Sequence, residues 1–166
     1  MKIYKHHIAA ALFPFISHSL CAQEGEIENR LHHRATVIIS HAHIPAANEL
    51  NGDKKTFIAA SLGINYELWF NSWWAIGVHN DLLMESFNVE TKPDGAIVKR
   101  EFPIVSSLVT VYKPFKHWSF FAGPGIEFEK NENFALIKTG IEYSIIIPKT
   151  WEVAIGADYD YKFKGY

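Results

Sequence analysis

Hydrophobic and polar residues alternate along most of the chain after residue 35, which is the period-2 pattern of β-strands. No segment carries a helical stripe, and no apolar run reaches the about 20 residues that a transmembrane helix needs. Several alternating segments are long enough for the ~9–11 residues of a tilted membrane strand. Seven strands are predicted, at 35–45, 56–70, 73–88, 101–113, 117–130, 133–147 and 151–164. The pattern therefore predicts an all-β, antiparallel fold.

The alternation is clearest in the second, fifth and seventh predicted strands, where one face is apolar and the other is small or charged. In the second strand the apolar face consists of Ile58, Ala60, Leu62, Ile64, Tyr66, Leu68 and Phe70, and the other face of Ala59, Ser61, Gly63, Asn65 and Glu67. This pattern is typical of an up-and-down membrane β-barrel with a polar interior. A soluble β-sandwich also alternates, with the apolar face as its core, so alternation alone leaves both architectures open.

Short and long connections alternate along the chain. Asn71-Ser72, 114–116 and 148–150 are short, whereas 46–55 and 89–100 are long and polar. Outer-membrane barrels have short turns at one end and longer loops at the other. All five tryptophans lie beside the short turns, as expected for an aromatic belt at a membrane interface. The predicted belt consists of Trp69, Phe70, Trp73, Trp74, Phe115, Trp118 and Trp151.

The N-terminus has the pattern of a secretory signal peptide, with a positive start at Lys2 and Lys5 and a short apolar segment at 8–20. A short buried helix is the alternative interpretation. Cleavage is predicted after Ala22, which gives a signal peptide at 1–22, a periplasmic N-terminal lead at 23–34 and a barrel domain at 35–166. The predicted location is the outer membrane.

Seven strands are one too few for the expected architecture, because bacterial single-chain barrels have an even number of strands. An open sheet edge in lipid leaves backbone groups unpaired at a cost of several kcal/mol each. The fold predicted is therefore an antiparallel up-and-down transmembrane barrel of the eight-stranded type with about seven strands visible. We expect that the C-terminal strand is missing and that the chain stops before it.

Three segments resemble small porin-like outer-membrane β-barrel proteins, most of which are functionally uncharacterised. They are NYELWFNSWWAIGVHNDLLMESFNVE (65–90), YKPFKHWSFFAGPGIEFEKNENFALIKTGIEY (112–143) and WEVAIGADYDYKF (151–163). The resemblance covers about 35–166 and implies barrel architecture, with no catalytic motif to transfer. Proteins of that type end in a further amphipathic strand, and this sequence departs from them by lacking it.

Charge and cysteine content exclude some classes of function. The formal net charge is −2, and removal of two lysines with the signal peptide makes it more negative, so no basic surface for nucleic acid is expected. The only cysteine, Cys21, lies in the cleavage region, which excludes disulfides and thiol catalysis in the mature chain. Outer-membrane lipid is the expected partner. The sequence identifies no protein partner and predicts no cofactor.

Charged residues on the predicted inward faces suggest an internal network of ion pairs, in a barrel just wide enough to be filled by side chains. The predicted network consists of Glu67, His79, Asp81, Glu85, Glu127, Glu129, Lys138, Glu142, Glu152, Asp158, Asp160 and Lys162. The sequence also contains two weaker arrangements: a transition-metal site of His41, His43 and His79, and a Ser/His/acid set drawn from Ser86, Ser106, Ser107, His79 and Glu85.

The function predicted from these observations is a small outer-membrane β-barrel without a catalytic site, either structural or interacting through its extracellular loops. Two alternatives stay open. One is a barrel enzyme acting on lipid, or a barrel that binds a small ligand. The other is an exported soluble β-sandwich.

Overall fold

The computed structural model describes residues 17–20, 31–44, 47–48, 57–90, 96–130, 132–147 and 151–163. The cleavage site after Ala22 and most of the predicted signal peptide and N-terminal lead lie outside this part. The described residues form strands and no helix, so none of them belongs to a helix long and apolar enough to cross a membrane. The strands are β1 (Ser17–Leu20), β2 (His32–Ile44), β3 (Ala47–Asn48), β4 (Phe57–Trp69), β5 (Trp74–Leu83), β6 (Ser86–Glu90), β7 (Ile97–Glu101), β8 (Ile104–Tyr112), β9 (Trp118–Phe128), β10 (Phe134–Ile147) and β11 (Trp151–Lys162).

The seven long strands form one antiparallel sheet in the order β2-β4-β5-β8-β9-β10-β11. Each strand pairs with the next long strand along the chain, as in an up-and-down meander. Seven long strands in one curled sheet differ from a β-sandwich, which divides its strands between two packed sheets. The predicted all-β, antiparallel fold is therefore confirmed.

The two edges of this sheet approach each other. Arg34 of β2 lies 3.0 Å from a carboxylate oxygen of Glu142 in β10, although four strands lie between β2 and β10 within the sheet. The short strand β1 pairs on one side with β11, from Trp151 to Ala154, and on the other with β2, from Ala35 to Val37. The sheet is thus curled around an enclosed interior, with β1 between its edges.

The predicted strand faces are confirmed in the described strands. In β4 the small and polar side chains from Ala59 to Glu67 are buried, whereas Ile58, Ile64 and Tyr66 are about half exposed. The same order holds in β11, where Trp151, Ile155 and Tyr159 lie outside. Period-2 alternation fixes these faces because a shift by one residue would exchange all of them.

The third predicted strand, 73–88, is wrong in its extent. The chain leaves the main sheet after Leu83, and Ser86–Glu90 pairs instead with Ile97–Glu101, which lies mostly in the predicted loop 89–100. Together with Ala47–Asn48 these strands form a three-stranded sheet, which we call the cap sheet. Alternation continues through 86–90, so the sequence gives no sign that the strand changes its partner.

The cap sheet packs against the end of the main sheet where the long connections lie. Phe87 and Val89 of β6 are buried in an apolar cluster with residues of five long strands: Ile44, Ala59, Leu83, Val105 and Leu136. Between the cap sheet and β8, Phe102 has a positive φ of 46°, an uncommon conformation for a bulky residue. Pro103 follows and its carbonyl accepts a hydrogen bond from the amide of Leu83.

Gly123-Pro124-Gly125 lies inside β9. A Cβ atom at Gly123 would lie 1.9 Å from the carbonyl oxygen of Leu108 in β8, so the close approach of β8 and β9 requires glycine there. Pro124 has no amide hydrogen to donate to the ladder. Accordingly, the pairing of β8 with β9 is interrupted after Ser107–Gly125 and resumes at Thr110–Ala122.

Replacing Gly140 with valine is expected to destabilise the fold strongly. The ring of Phe121 lies over this glycine, and a Cβ atom there would be 2.2 Å from the ring, so the substitution overpacks the interior. We expect a loss of about 1–3 kcal/mol in the free energy of unfolding, measured by urea titration with tryptophan fluorescence. The control is Thr139→Val on the outer face. Equal stability of the two variants would contradict the packing described here.

Candidate functional site: the charged interior

The interior end beside the short turns is organised around Arg34 of β2. Its guanidinium forms a bidentate ion pair with Glu67, with Nε–Oε2 and Nη2–Oε1 distances of 2.9 and 3.0 Å. Nη1 also lies 3.0 Å from Glu142 and 3.4 Å from Glu152, and Lys113 lies 3.7 Å from Glu152. These five residues are called the Arg34 cluster. Planar, bidentate geometry of this kind makes a strong, charge-assisted pair.

Glu67 receives two further contacts and is only 1% exposed. The indole Nε1 of Trp69 donates to Oε2 at 2.9 Å, and Nε2 of His79 lies 3.1 Å from Oε1. Every ionised carboxylate oxygen needs such partners when it is buried. The arrangement explains why this carboxylate, predicted to face inward, is tolerated there.

Trp69 corrects the predicted aromatic belt. Its side chain is 3% exposed and faces the interior, where its ring lies 5.5 Å from the guanidinium carbon of Arg34 and 5.9 Å from Nζ of Lys113. The physical reason is strand parity, because Trp69 lies two residues after Glu67 and shares its face. Trp69 therefore fills the short-turn end of the interior.

Midway along the interior, Lys138 of β10 faces three carboxylates. Its Nζ lies 2.5 Å from Asp158, 3.0 Å from Asp160 and 3.1 Å from Asp81. These four residues are called the Lys138 cluster. Asp158 and Asp160 come from the adjacent strand β11, whereas Asp81 reaches across from β5. Lys138 is 2% exposed, so its charge depends on these partners rather than on water.

At the long-loop end, Arg100 of β7 enters the interior from the cap sheet. It pairs with Glu127, lies 3.4 Å from Glu129, and donates to the carbonyl oxygen of Glu132 at 2.5 Å. Lys162 pairs with the second oxygen of Glu127 at 2.6 Å. This Arg100 cluster ties the cap sheet to β9 and β11. Arg100 was not predicted as an interior residue because it lies in a predicted loop, and Arg34 was not predicted because it lies in the predicted lead.

Replacing Arg100 with alanine is expected to release the cap sheet from the end of the main sheet. The substitution leaves Glu127 and Glu129 buried without this partner, which is strongly unfavourable. We expect several-fold faster limited proteolysis within 84–103, with the rest of the sheet protected. Cleavage is followed by mass spectrometry.

The control for this substitution is the neighbouring Lys99→Ala. Lys99 is exposed and pairs with exposed Glu101, and its hydrogen bond and charge hold the pKa of the Glu101 carboxyl below its usual value. Exposed pairs contribute little to stability, so Lys99→Ala is expected to leave the proteolysis rate unchanged. Equal rates for both variants would show that Arg100 does not hold the cap sheet.

Of the predicted interior network, only Glu85 is placed elsewhere. Glu85 lies in the turn between β5 and β6, where its carboxylate accepts a hydrogen bond from the amide of Ala60 at 3.3 Å. The alternation that suggested an inward position ends with β5 at Leu83, and this explains the error. The other eleven predicted residues line the interior, where ten of them belong to the three clusters and His79 contacts Glu67 of the Arg34 cluster.

The two weaker arrangements are not assembled. His41 and His43 lie on the outer face of β2 and His79 faces the interior, so the three do not share a site. The described residues contain no group of three or more His, Cys, Asp or Glu side chains able to hold a metal ion. Ser106 donates to Asn80, whereas the buried Ser107 hydroxyl has no hydrogen-bond partner within the described ranges.

The outer face carries aromatic side chains at both ends. Near the short turns the exposed aromatics are the six other predicted belt residues, Phe70, Trp73, Trp74, Phe115, Trp118 and Trp151. Near the long connections a second set is exposed, which the sequence analysis missed: Phe102, Phe128, Tyr159, Tyr161 and Phe163. Phe128 follows Trp118 by ten residues along β9, and Tyr161 follows Trp151 by ten along β11. Equal spacing within two strands would have revealed this second set.

Comparisons of this chain with models of known families, with curated proteins and with solved structures find no match. The geometry is therefore the basis for proposing a class of protein and a function, and the resemblance to porin-like proteins stays a prediction.

Proposed function

We propose that this chain forms a small β-barrel of the bacterial outer membrane, with its outer face against lipid. The observation that carries the proposal is the inverted distribution of polarity. Ile39 and Ile64 are 66% and 59% exposed, whereas charged side chains such as Glu67 and Lys138 are almost completely buried. In water such an arrangement is unfavourable on both faces, because apolar area is hydrated and charges are not. In lipid it is the expected arrangement.

The separation of the two aromatic sets supports the same proposal. Ten strand residues rise about 33 Å at ~3.3 Å each. A strand tilt of ~40° reduces this height to about 25 Å, which is the height of the apolar band in outer-membrane barrels. Trp and Tyr favour both boundaries of that band because each has an apolar ring and a polar group. The two aromatic sets thus correspond to the two interfaces of one bilayer.

The filled interior favours a role in binding or structure over conduction. An eight-stranded barrel is just wide enough to be filled by side chains, and here three ion-pair clusters and Trp69 occupy its length. The cap sheet covers the long-loop end. We therefore assign the function to surfaces at that end, which is extracellular in outer-membrane barrels, and assign no catalytic role.

Closure of the barrel in lipid requires a strand between β2 and β11, since unpaired backbone groups in lipid cost several kcal/mol each. β1 pairs at that position with both edges. The same four residues lie inside the predicted signal peptide at 1–22, so export with cleavage after Ala22 removes them. We therefore propose that a strand fills the gap between β2 and β11 in the membrane-inserted protein. Comparing chains that contain β1 with chains that lack it shows whether β1 is that strand.

The test is to export the chain from Met1, with the predicted cleavage after Ala22 blocked, and the chain from Gln23, both behind a neutral leader, and to fractionate the cells. Membrane fractions are run on SDS gels with and without boiling. A heat-modifiable band in the outer membrane supports the proposal, and its presence in one chain or both shows whether β1 closes the seam. A folded protein in the soluble periplasmic fraction would overturn the membrane assignment.

A further inference from the structure

We propose that a cavity between the Arg34 and Lys138 clusters binds one small monovalent cation, such as Na⁺, through side-chain oxygens. The cavity has a volume of about 30 Å³, enough for about two water molecules. Asn65, Asp81 and Asp158 line it together with Glu142, His79 and Phe121. The site lies in the interior and does not depend on which solvent surrounds the outer face.

The cavity wall contains a buried side-chain oxygen, Oδ1 of Asn65, that accepts no hydrogen bond from the part of the chain that the structure describes. Asn65 is 7% exposed, and its side-chain Oδ1 has no hydrogen-bond partner among the residues described. A buried carbonyl oxygen without a hydrogen-bond partner destabilises the folded state. A cation in the cavity supplies the missing interaction, because oxygen atoms of amides and carboxylates are the ligands of hard cations.

Carboxylates outnumber basic side chains on both sides of the cavity. Lys138 supplies one positive charge against Asp81, Asp158 and Asp160. The Arg34 cluster on the other side has two cations, Arg34 and Lys113, against three carboxylates. Excess negative charge among side chains that are only partly exposed to water is unfavourable unless a cation or a proton neutralises it. One bound cation between the two clusters reduces the excess on both sides.

The oxygen ligands around the cavity determine which cation it accepts. Asp81 reaches the cavity because Gly63 faces it on β4, where a Cβ atom would lie 2.7 Å from the Asp81 oxygen. Asn65 follows two residues later on the same inward face. Two carboxylates and one amide oxygen are ligands of a hard cation, and we infer a monovalent one because Lys138 already pairs with both carboxylates. A transition metal, which favours histidine or cysteine ligands, does not suit this set.

The experiment compares the thermal unfolding midpoint of the purified full chain in NaCl and in choline chloride at the same ionic strength. Choline provides the same screening, but its quaternary ammonium group is too large for the cavity. Binding of Na⁺ to the folded state alone raises the midpoint with concentration. We expect a midpoint a few degrees higher in NaCl, with a difference that grows as the salt concentration is raised.

Asn65→Leu removes the amide oxygen at similar volume and is expected to abolish the difference between the two salts. The matched control is Asn80→Leu, which removes an amide from the outer face of β5 and is expected to keep the difference. Should Asn65→Leu fail to fold, broadening of the ²³Na NMR line by the wild-type chain, absent with Asp81→Asn, provides the second measurement.

Equal midpoints in the two salts for the wild-type chain would overturn the proposal, since the cavity would then hold water or a proton instead. A salt difference that survives in Asn65→Leu would also overturn it, because the cation would bind elsewhere. Both results are independent of the membrane assignment, which the fractionation experiment tests separately.

Discussion

Replacing Lys138 with methionine is expected to prevent stable folding of the sheet. Methionine has a similar length but no charge, so the substitution removes the buried cation that Asp81, Asp158 and Asp160 share and leaves these carboxylates close together. Removing one partner of a buried ion pair costs about 3–5 kcal/mol. Here three carboxylates lose the same partner, Lys138. Since a typical domain is stable by only 5–15 kcal/mol, the compact form is expected to be lost or to unfold at a much lower urea concentration. The measurement is a urea titration followed by tryptophan fluorescence.

The control for Lys138→Met is the same substitution at the next residue, Thr139→Met. Thr139 lies on the outer face of β10, where an added apolar side chain is tolerated. Lys138→Arg, which keeps the charge, should retain most of the stability. If Lys138→Met were as stable as the Thr139 variant, the three carboxylates would have to be neutralised in some way other than by Lys138.

The faces of the strands were predictable because alternation is a local property of the sequence. Asn65 and Glu67 lie two residues apart, so their shared face follows without knowledge of any partner strand. The meander order also follows from short turns between neighbouring strands. These two features account for most of the main sheet and for eleven of the twelve predicted residues of the interior network.

Features that depend on contacts between distant segments were not predictable from one sequence. The cap sheet forms because β6 leaves β5 and pairs with β7, and Arg100 reaches Glu127 only through that change of partner. Arg34 was not predicted because the segment before it is polar and shows no alternation, so the sequence does not indicate where β2 begins. Trp69 was assigned to the belt from its neighbours, although its parity with Glu67 already placed it inside.

The basic side chains of Arg34, Lys138 and Arg100 enter the interior because each lies on the inward face of its strand. The Arg34 cluster, the Lys138 cluster and the Arg100 cluster each combine carboxylates with a base from a different strand or from the cap sheet. Each cluster therefore links segments far apart in sequence. Because every cluster joins strands across the interior, the network favours one register and one degree of curl over alternatives, in addition to its contribution to stability.

Replacing Ile64 with arginine gives the sharpest test of the proposed membrane location. Ile64 lies at the middle of β4 on the outer face and is more than half exposed. In a lipid-embedded barrel, arginine at the bilayer midplane costs about 2–4 kcal/mol. In a water-soluble protein, an exposed substitution of this kind changes stability by about 0.5 kcal/mol or less. We expect the larger loss, measured by urea unfolding of the chain folded into lipid vesicles.

Depth along the same strand provides the control. Ile58 lies on the same face near the long-loop end and is similarly exposed, and an arginine near the interface costs only about 0–1 kcal/mol. Ile58→Arg should therefore be much milder than Ile64→Arg, and Ile64→Leu should be close to neutral. Equal, small losses at both arginine positions would mean that water, and not lipid, surrounds the outer face, whereas a loss that grows toward the middle of the strand is the signature of a bilayer.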